Sequence, residues 1–217
     1  MVDRALSARD EILARVRSGL ADVPSDERSE DVPVPRDYLV AEPGGTLDRF
    51  IERVADYGAL VRVVGDDGIA TAVGEACDAF EVRSLIVPVD VPASWIPRDV
   101  KQIPEAGLDV RDLDSIGAAL TGCALGIAET GTIVLDAGAR QGRRALTLVP
   151  DVHLCVIEAE QIIDGVPTAL RRLADDLRRS RRPLTFVSGP SATSDIELAR
   201  VEGVHGPRRF GVIVVRT

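Results

Sequence analysis

The segment Ala128-Glu129-Thr130-Gly131-Thr132 sets a carboxylate directly after an apolar run, with two hydroxyls beside it and a glycine able to turn the backbone sharply. Glu129 in that setting can serve as nucleophile, base or hydrogen-bond acceptor, or it can cap an exposed hairpin together with Thr130. A second segment, Ser188-Gly189-Pro190-Ser191-Ala192-Thr193-Ser194-Asp195-Ile196-Glu197, is dense in hydroxyls. Its tail fits a capping box formed by Ser194 and Glu197, and backbone N–H groups at such a terminus suit an anion. Capping does not account for the small residues before it, which permit close approach of backbone to ligand. Ser188, Gly189, Ser191, Thr193, Asp195 and Glu197 are therefore expected to bind a ligand, as are Thr130, Gly131 and Thr132.

A third segment, Gly203-Val204-His205-Gly206-Pro207-Arg208, holds a histidine among glycines. Histidine as a residue type can act as acid, base or donor near neutral pH, so His205 joins Glu129 as a candidate catalytic residue, with Gly206 beside it. Arg140, Arg143 and Arg144 form a cluster whose guanidinium groups could clamp a carboxylate or phosphate, or could simply be solvated. His153 sits inside a strand-like apolar run and reads as structural.

Several familiar chemistries are absent. There is no GxxxxGK[ST], no GxGxxG after a strand and no GxSxG. Cys77, Cys123 and Cys155 are widely spaced, without a CxxC pair, and read as buried packing residues. They cannot supply the roughly four thiolates of an iron–sulfur cluster, and two distant histidines make a poor zinc set. No cofactor is expected in this chain. The net charge of −9 repels a phosphate backbone, so nucleic acid is not an expected partner.

The elements that must position these segments follow from hydrophobic periodicity. Residues 4–20 read as an amphipathic helix with Ser7 as N-cap, followed over 21–45 by a proline-rich, acidic arm that could pack on a neighbouring subunit. From 46 onward helices and strands alternate: helix Leu47–Tyr57, strand Ala59–Val64, helix Ile69–Phe80, strand Val82–Val87, a strand at Leu108–Val110 and a helix at Leu113–Leu120. Four short strand-like runs follow, Cys123–Ala128, Thr132–Leu135, Ala145–Val149 and Val152–Ile157, with a hairpin-type loop over 138–144. A helix at Thr168–Arg178 and strands at Leu184–Val187 and Phe210–Val215 close the chain. The expected fold is α/β: a mixed, mainly parallel sheet with helices on both faces, in a domain of residues 46–217 preceded by a helix and arm over 1–45. With aromatics at 3%, its core must be built from Val, Leu, Ile and Ala. The charged N-terminus lacks a signal-peptide core, and no apolar run approaches the ~20 residues of a membrane span, so a cytoplasmic location is expected.

Together, the Ala128–Thr132 segment, Gly142-Arg143-Arg144, Leu148-Val149-Pro150 to His153, Glu158-Ala159-Glu160-Gln161-Ile162, the Ser188 segment and Gly203-Val204-His205-Gly206-Pro207 resemble the LUD-domain family, closest to its small C-type lactate-utilisation members. The resemblance covers roughly residues 45–217. It implies a fold like that of the NagB/RpiA/CoA-transferase group. It also implies a part in oxidising L-lactate to pyruvate alongside iron–sulfur partner proteins that carry the electrons. An accessory subunit binding a small carboxylate fits that setting, and a homodimer is plausible. The Glu-x-Gly form of Glu129-Thr130-Gly131 leaves open a free-standing CoA-transferase-like enzyme with a glutamyl nucleophile, and fold analogy alone suggests a sugar-phosphate enzyme.

Overall fold

The computed structural model describes residues 7–31, 33–35, 46–193, 201–202 and 206–216. The chain divides into two compact units, Met1–Leu39 and Val40–Thr217. In the first, Ser7 accepts a hydrogen bond from the Asp10 backbone at 3.3 Å and caps helix α1 (Ala8–Gly19). None of the residues of α1 is buried, and Ile12, Val16 and Leu20 stand exposed along it.

In the second unit, α2 (Thr46–Asp56) leads into β1 (Leu60–Val64), α3 (Ile69–Ala79), β2 (Ser84–Val87), β3 (Lys101–Pro104), α4 (Val110–Ile116) and β4 (Ala118–Thr121). There follow β5 (Leu125–Ile127), β6 (Thr132–Leu135), β7 (Val152–Glu158), β8 (Ile162–Ile163), α5 (Val166–Ser180), β9 (Thr185–Val187), the short strands β10 (Ala192–Thr193) and β11 (Val201–Glu202), and β12 (Arg209–Val215). Among the described residues, six of these strands form a wholly parallel sheet in the order β1-β12-β7-β4-β2-β3. A second, mixed sheet runs β8-β5-β6-β9, with β6 antiparallel to both neighbours.

Strand periodicity explains the layering. On β7 and β12, Leu154, Val156, Ile213 and Val215 face α3 in one apolar cluster, while Cys155, Ile157, Val212 and Val214 face α2 and the second sheet in another. The outer face of the second sheet is covered by Ala169 and Leu173 of α5. The mixed, mainly parallel α/β architecture read from the pattern is thus present, with the antiparallel section forming a sheet of its own.

Three elements differ from expectation. The apolar Leu108–Val110 is not a strand, because Asp109 accepts hydrogen bonds from the Arg111 and Asp112 backbones and starts α4 there. Gly117, at φ +75°, then ends α4 early, so Ala118–Thr121 is a fully buried strand where helix was expected. Ala145–Val149 is not a strand either. Residues Arg144–Thr147 coil into a 3-10 turn, closed by the Thr147 hydroxyl donating to the Arg144 carbonyl at 3.1 Å. The loop over 138–144 therefore joins a strand to a helical turn and is no hairpin.

Candidate functional site

Two of the three polar segments meet through strand pairing. The turn over 128–131 links β5 to β6, and β9 pairs with β6 so that Val187 lies opposite Ile133. That register puts Ser188 beside Thr132, and their hydroxyls lie 2.7 Å apart. The Thr132 hydroxyl is also 2.7 Å from that of Thr130, giving a chain of three hydroxyls in which Thr132 and Ser188 are 56 residues apart in sequence. The Ser191 N–H donates to the Pro207 carbonyl at 2.8 Å, and Gly206 lies against the Ser191 side chain, so the third segment is anchored to the second. Thr193 contributes backbone to β10, paired with Val201. His205, Asp195 and Glu197 lie outside the described residues.

The glycines are placed by a neighbour that the sequence reading did not include. Gly131 has φ +58°, and a Cβ there would lie 2.6 Å from the Arg53 carbonyl carbon and 2.8 Å from the Val54 nitrogen. Gly189 has φ +101°, and a Cβ there would lie 2.6 Å from the Tyr57 Cβ. Both motif segments thus rest directly on the end of α2, where Gly58 turns the chain away.

Glu129, Thr130, Arg53, Asp56 and Tyr57 line a cleft of about 310 Å³ at this junction. The Glu129 backbone N–H is fixed to the Asp164 carbonyl at 2.9 Å, while its side chain is exposed and its carboxylate makes no hydrogen bond or ion pair with another described residue. Arg53 approaches Asp56 only to 3.8 Å, with both side chains more than half exposed. The cleft therefore offers one loosely held cation and one unengaged carboxylate, flanked by a phenol and a hydroxyl. Such a set can bind a small carboxylate and accept a proton or hydrogen bond from it.

The three arginines do not converge on this cleft. Left-handed backbone at Arg140 (φ +63°) and Gly142 (φ +62°) fans them apart. Arg143 is tied to Glu105 at 3.1 Å and to the Leu108 carbonyl, and borders a larger cleft of about 600 Å³ beyond β2 and β3. That cleft is walled by Val87, Val89, Pro104 and Leu108, and its ion pair is already satisfied. Arg144 borders a cavity of about 10 Å³ near Leu135 and Thr185, barely room for one water.

Arg140 closes the carboxyl ends of the parallel sheet. Its N–H donates to Asp90 at 2.6 Å, its carbonyl accepts from Gly122 at 2.8 Å, and its guanidinium reaches Glu158 at 3.0 Å while lying over the Trp95 ring at 5.3 Å. Trp95 is the only tryptophan and is buried. Arg140→Ala should expose that ring, shifting its emission to the red. Loss of the cation–π contact and the half-exposed ion pair should lower stability by about 1–2 kcal/mol in urea denaturation.

His153 and the cysteines lie inside the core. His153 Nε2 lies 2.8 Å from the Thr121 hydroxyl, its ring packs on Phe210, and burial lowers its pKa to about 4. The adjacent Cys155 thiol together with burial holds the Cys123 thiol well above its usual range, and burial pushes Cys77 up to about 11. These thiols are protonated at neutral pH and are poor ligands or nucleophiles. Among the described residues no group of His, Cys, Asp and Glu is arranged to hold a metal, and no helix is long and apolar enough to cross a membrane.

A parallel α/β core carrying a second sheet, with a polar cleft where that sheet meets a helix end, defines the class of protein. The LUD domain matches residues 48–215, and the chain belongs to the LUD-domain family. It is 47% identical over 184 residues to lactate utilization protein C of Deinococcus radiodurans, covering 84% of each chain. It is 27% identical over 190 residues to lactate utilization protein C of Shouchella clausii, covering 87% of this chain and 76% of the other. A crystal structure of a DUF162-family protein from Deinococcus radiodurans superposes with a TM-score of 0.68 at 40% identity, over 78% of this chain and 96% of that one.

Proposed function

We propose that this chain is a component of a cytoplasmic L-lactate utilisation system, acting as a subunit that binds a small carboxylate while iron–sulfur partner proteins take the electrons. Oxidation of L-lactate to pyruvate releases two electrons and two protons. In this reading the electrons leave through the partners' clusters, Glu129 receives the hydroxyl proton, and the second proton passes to solvent. The supporting observation is a cleft lined by Glu129 and Thr130, with the Thr130 hydroxyl linked through Thr132 to Ser188 behind it, in a chain whose 47% identical relative carries the name lactate utilization protein C. Gly131 and Gly189 hold the cleft together, and Ser191 and Gly206 brace its outer loop.

Growth of a deletion strain on L-lactate as sole carbon source tests this. Growth should fail without the gene, return with the wild type, and fail or slow with Glu129→Gln. Normal growth of the deletion strain, with no second copy present, would remove lactate from the account. The exposed carboxylate of Glu129, which bonds to no other described residue, is also compatible with a CoA-transferase nucleophile. Intact-mass measurement after incubation with acyl-CoA separates the two readings, since a covalent adduct on Glu129 would favour the transferase.

A further inference from the structure

We propose that Arg53 and Tyr57 complete the cleft as recognition residues for a 2-hydroxy acid, Arg53 taking the carboxylate and Glu129 the adjacent hydroxyl. This rests on the small-carboxylate reading of the same cleft and extends it to residues outside the three polar segments.

The first ground is steric. Gly131 and Gly189 come from segments far apart in sequence, both take left-handed backbone, and both do so where a Cβ would collide with the end of α2. At Gly131 the colliding atoms include the backbone of Arg53 and Val54, which no rotamer change can clear. The two segments are therefore built to sit on this helix end, and the cleft does not exist without it. Arg53 and Tyr57 are four residues apart, the spacing that brings side chains to the same side of a helix end, and both line the cleft with Glu129 and Thr130.

The second ground is the arrangement of charge. Among the described lining residues Arg53 is the sole cation, and its contact with Asp56 is long and solvated, which costs little to exchange for a ligand. A guanidinium pairs with a carboxylate through two parallel N–H donors, and the Tyr57 hydroxyl can add a third. Glu129, ionised, only accepts hydrogen bonds. A ligand meeting both ends must carry a carboxylate and a donor next to it, as a 2-hydroxy acid does. A 2-oxo acid presents an acceptor to Glu129 and is repelled, while a plain carboxylic acid leaves Glu129 unsatisfied. The arrangement thus discriminates substrate from its oxidised product at the same anchor, because a site built to bond a hydroxyl rejects the analogue lacking it.

Ligand-observed NMR titration of the full chain with L-lactate, pyruvate and propionate tests the assignment. L-lactate should bind at least tenfold more tightly than the other two. Arg53→Gln should weaken all carboxylate binding tenfold or more, with Arg53→Lys retaining part of it. Glu129→Ala should erase the preference for lactate over propionate while propionate still binds, and Tyr57→Phe should weaken lactate several-fold. Each variant alters an exposed side chain, and an unchanged melting temperature shows that it is folded. Equal binding of lactate and propionate by the wild type, wild-type binding by Arg53→Gln, or no binding of lactate by the wild type would each overturn the proposal. A gene required for growth on lactate alongside any of these results would leave the subunit in the pathway and remove only the recognition residues. Normal growth of the deletion strain would instead remove the pathway reading.

Discussion

Gly131→Ala is expected to destabilise the protein by about 3 kcal/mol, the sum of a left-handed backbone penalty and overpacking against a helix. The added methyl would fall 2.6–2.8 Å from the Arg53 carbonyl carbon, the Arg53 Cβ and the Val54 nitrogen. Relief requires the hairpin and α2 to separate, which pulls Phe50 and Val54 from the apolar cluster they share with Ile133 and Ile157. Urea denaturation should show a lowered midpoint, and the cleft should lose ligand affinity even in the fraction that folds. Gly211→Ala is the comparison. There a Cβ would meet the end of the Leu154 side chain at 2.6 Å and the Phe80 ring at 3.3 Å, groups that can turn aside. A Gly131→Ala variant as stable as wild type would mean that hairpin and helix are not in contact.

The second large effect is one of pH. His153 is 1% exposed, and burial depresses its pKa to about 4 from an ordinary value of 6.5. Between those values the unfolded imidazole binds a proton that the folded one refuses. Its contribution to stability is therefore full above pH 6.5 and declines as the pH falls, by up to about 1.4 kcal/mol per unit and by about 3 kcal/mol in total near pH 4. His153→Gln keeps a polar partner for Thr121 and removes the titration. The difference in unfolding free energy between wild type and variant, followed from pH 7.5 to 4.5, isolates the effect from the carboxylates, which titrate in both. A difference independent of pH would mean that the folded imidazole takes up its proton as readily as the unfolded one.

The success and failure of sequence reading here have physical causes. His153 was legible as structural because an imidazole flanked by Val152 and Leu154 on a buried strand is held by its neighbours. Glu129 to Thr132 and Ser188 were legible as polar segments, yet their meeting depends on β6 pairing with β9, a non-local contact that no local pattern encodes. Arg53 and Tyr57 were not legible at all. Arg53 is an exposed residue of α2 and Tyr57 follows its last residue, and exposed side chains there resemble any solvated surface until their neighbours are known. The strand β3 escaped notice because Lys101-Gln102-Ile103-Pro104 is short and largely exposed at the sheet edge. Arg140, Arg143 and Arg144 stand apart despite their nearness in sequence, because left-handed residues at Arg140 and Gly142 turn the chain between them.

The strand order bears also on how the chain reaches this fold. The strand β12, formed by residues 209–215, lies between β1 and β7, so that Leu60 pairs with Gly211 and Val152 with Arg209. During synthesis β1 emerges long before the strand that covers its edge, and it has no other partner within the parallel sheet. Until β12 leaves the ribosome, Val212 and Val214 are missing from one apolar cluster and Ile213 and Val215 from the other. Both cores thus close in a single late step that joins sequence-distant strands, a topology that folds slowly and leaves open edges for capture or misassociation in the interval.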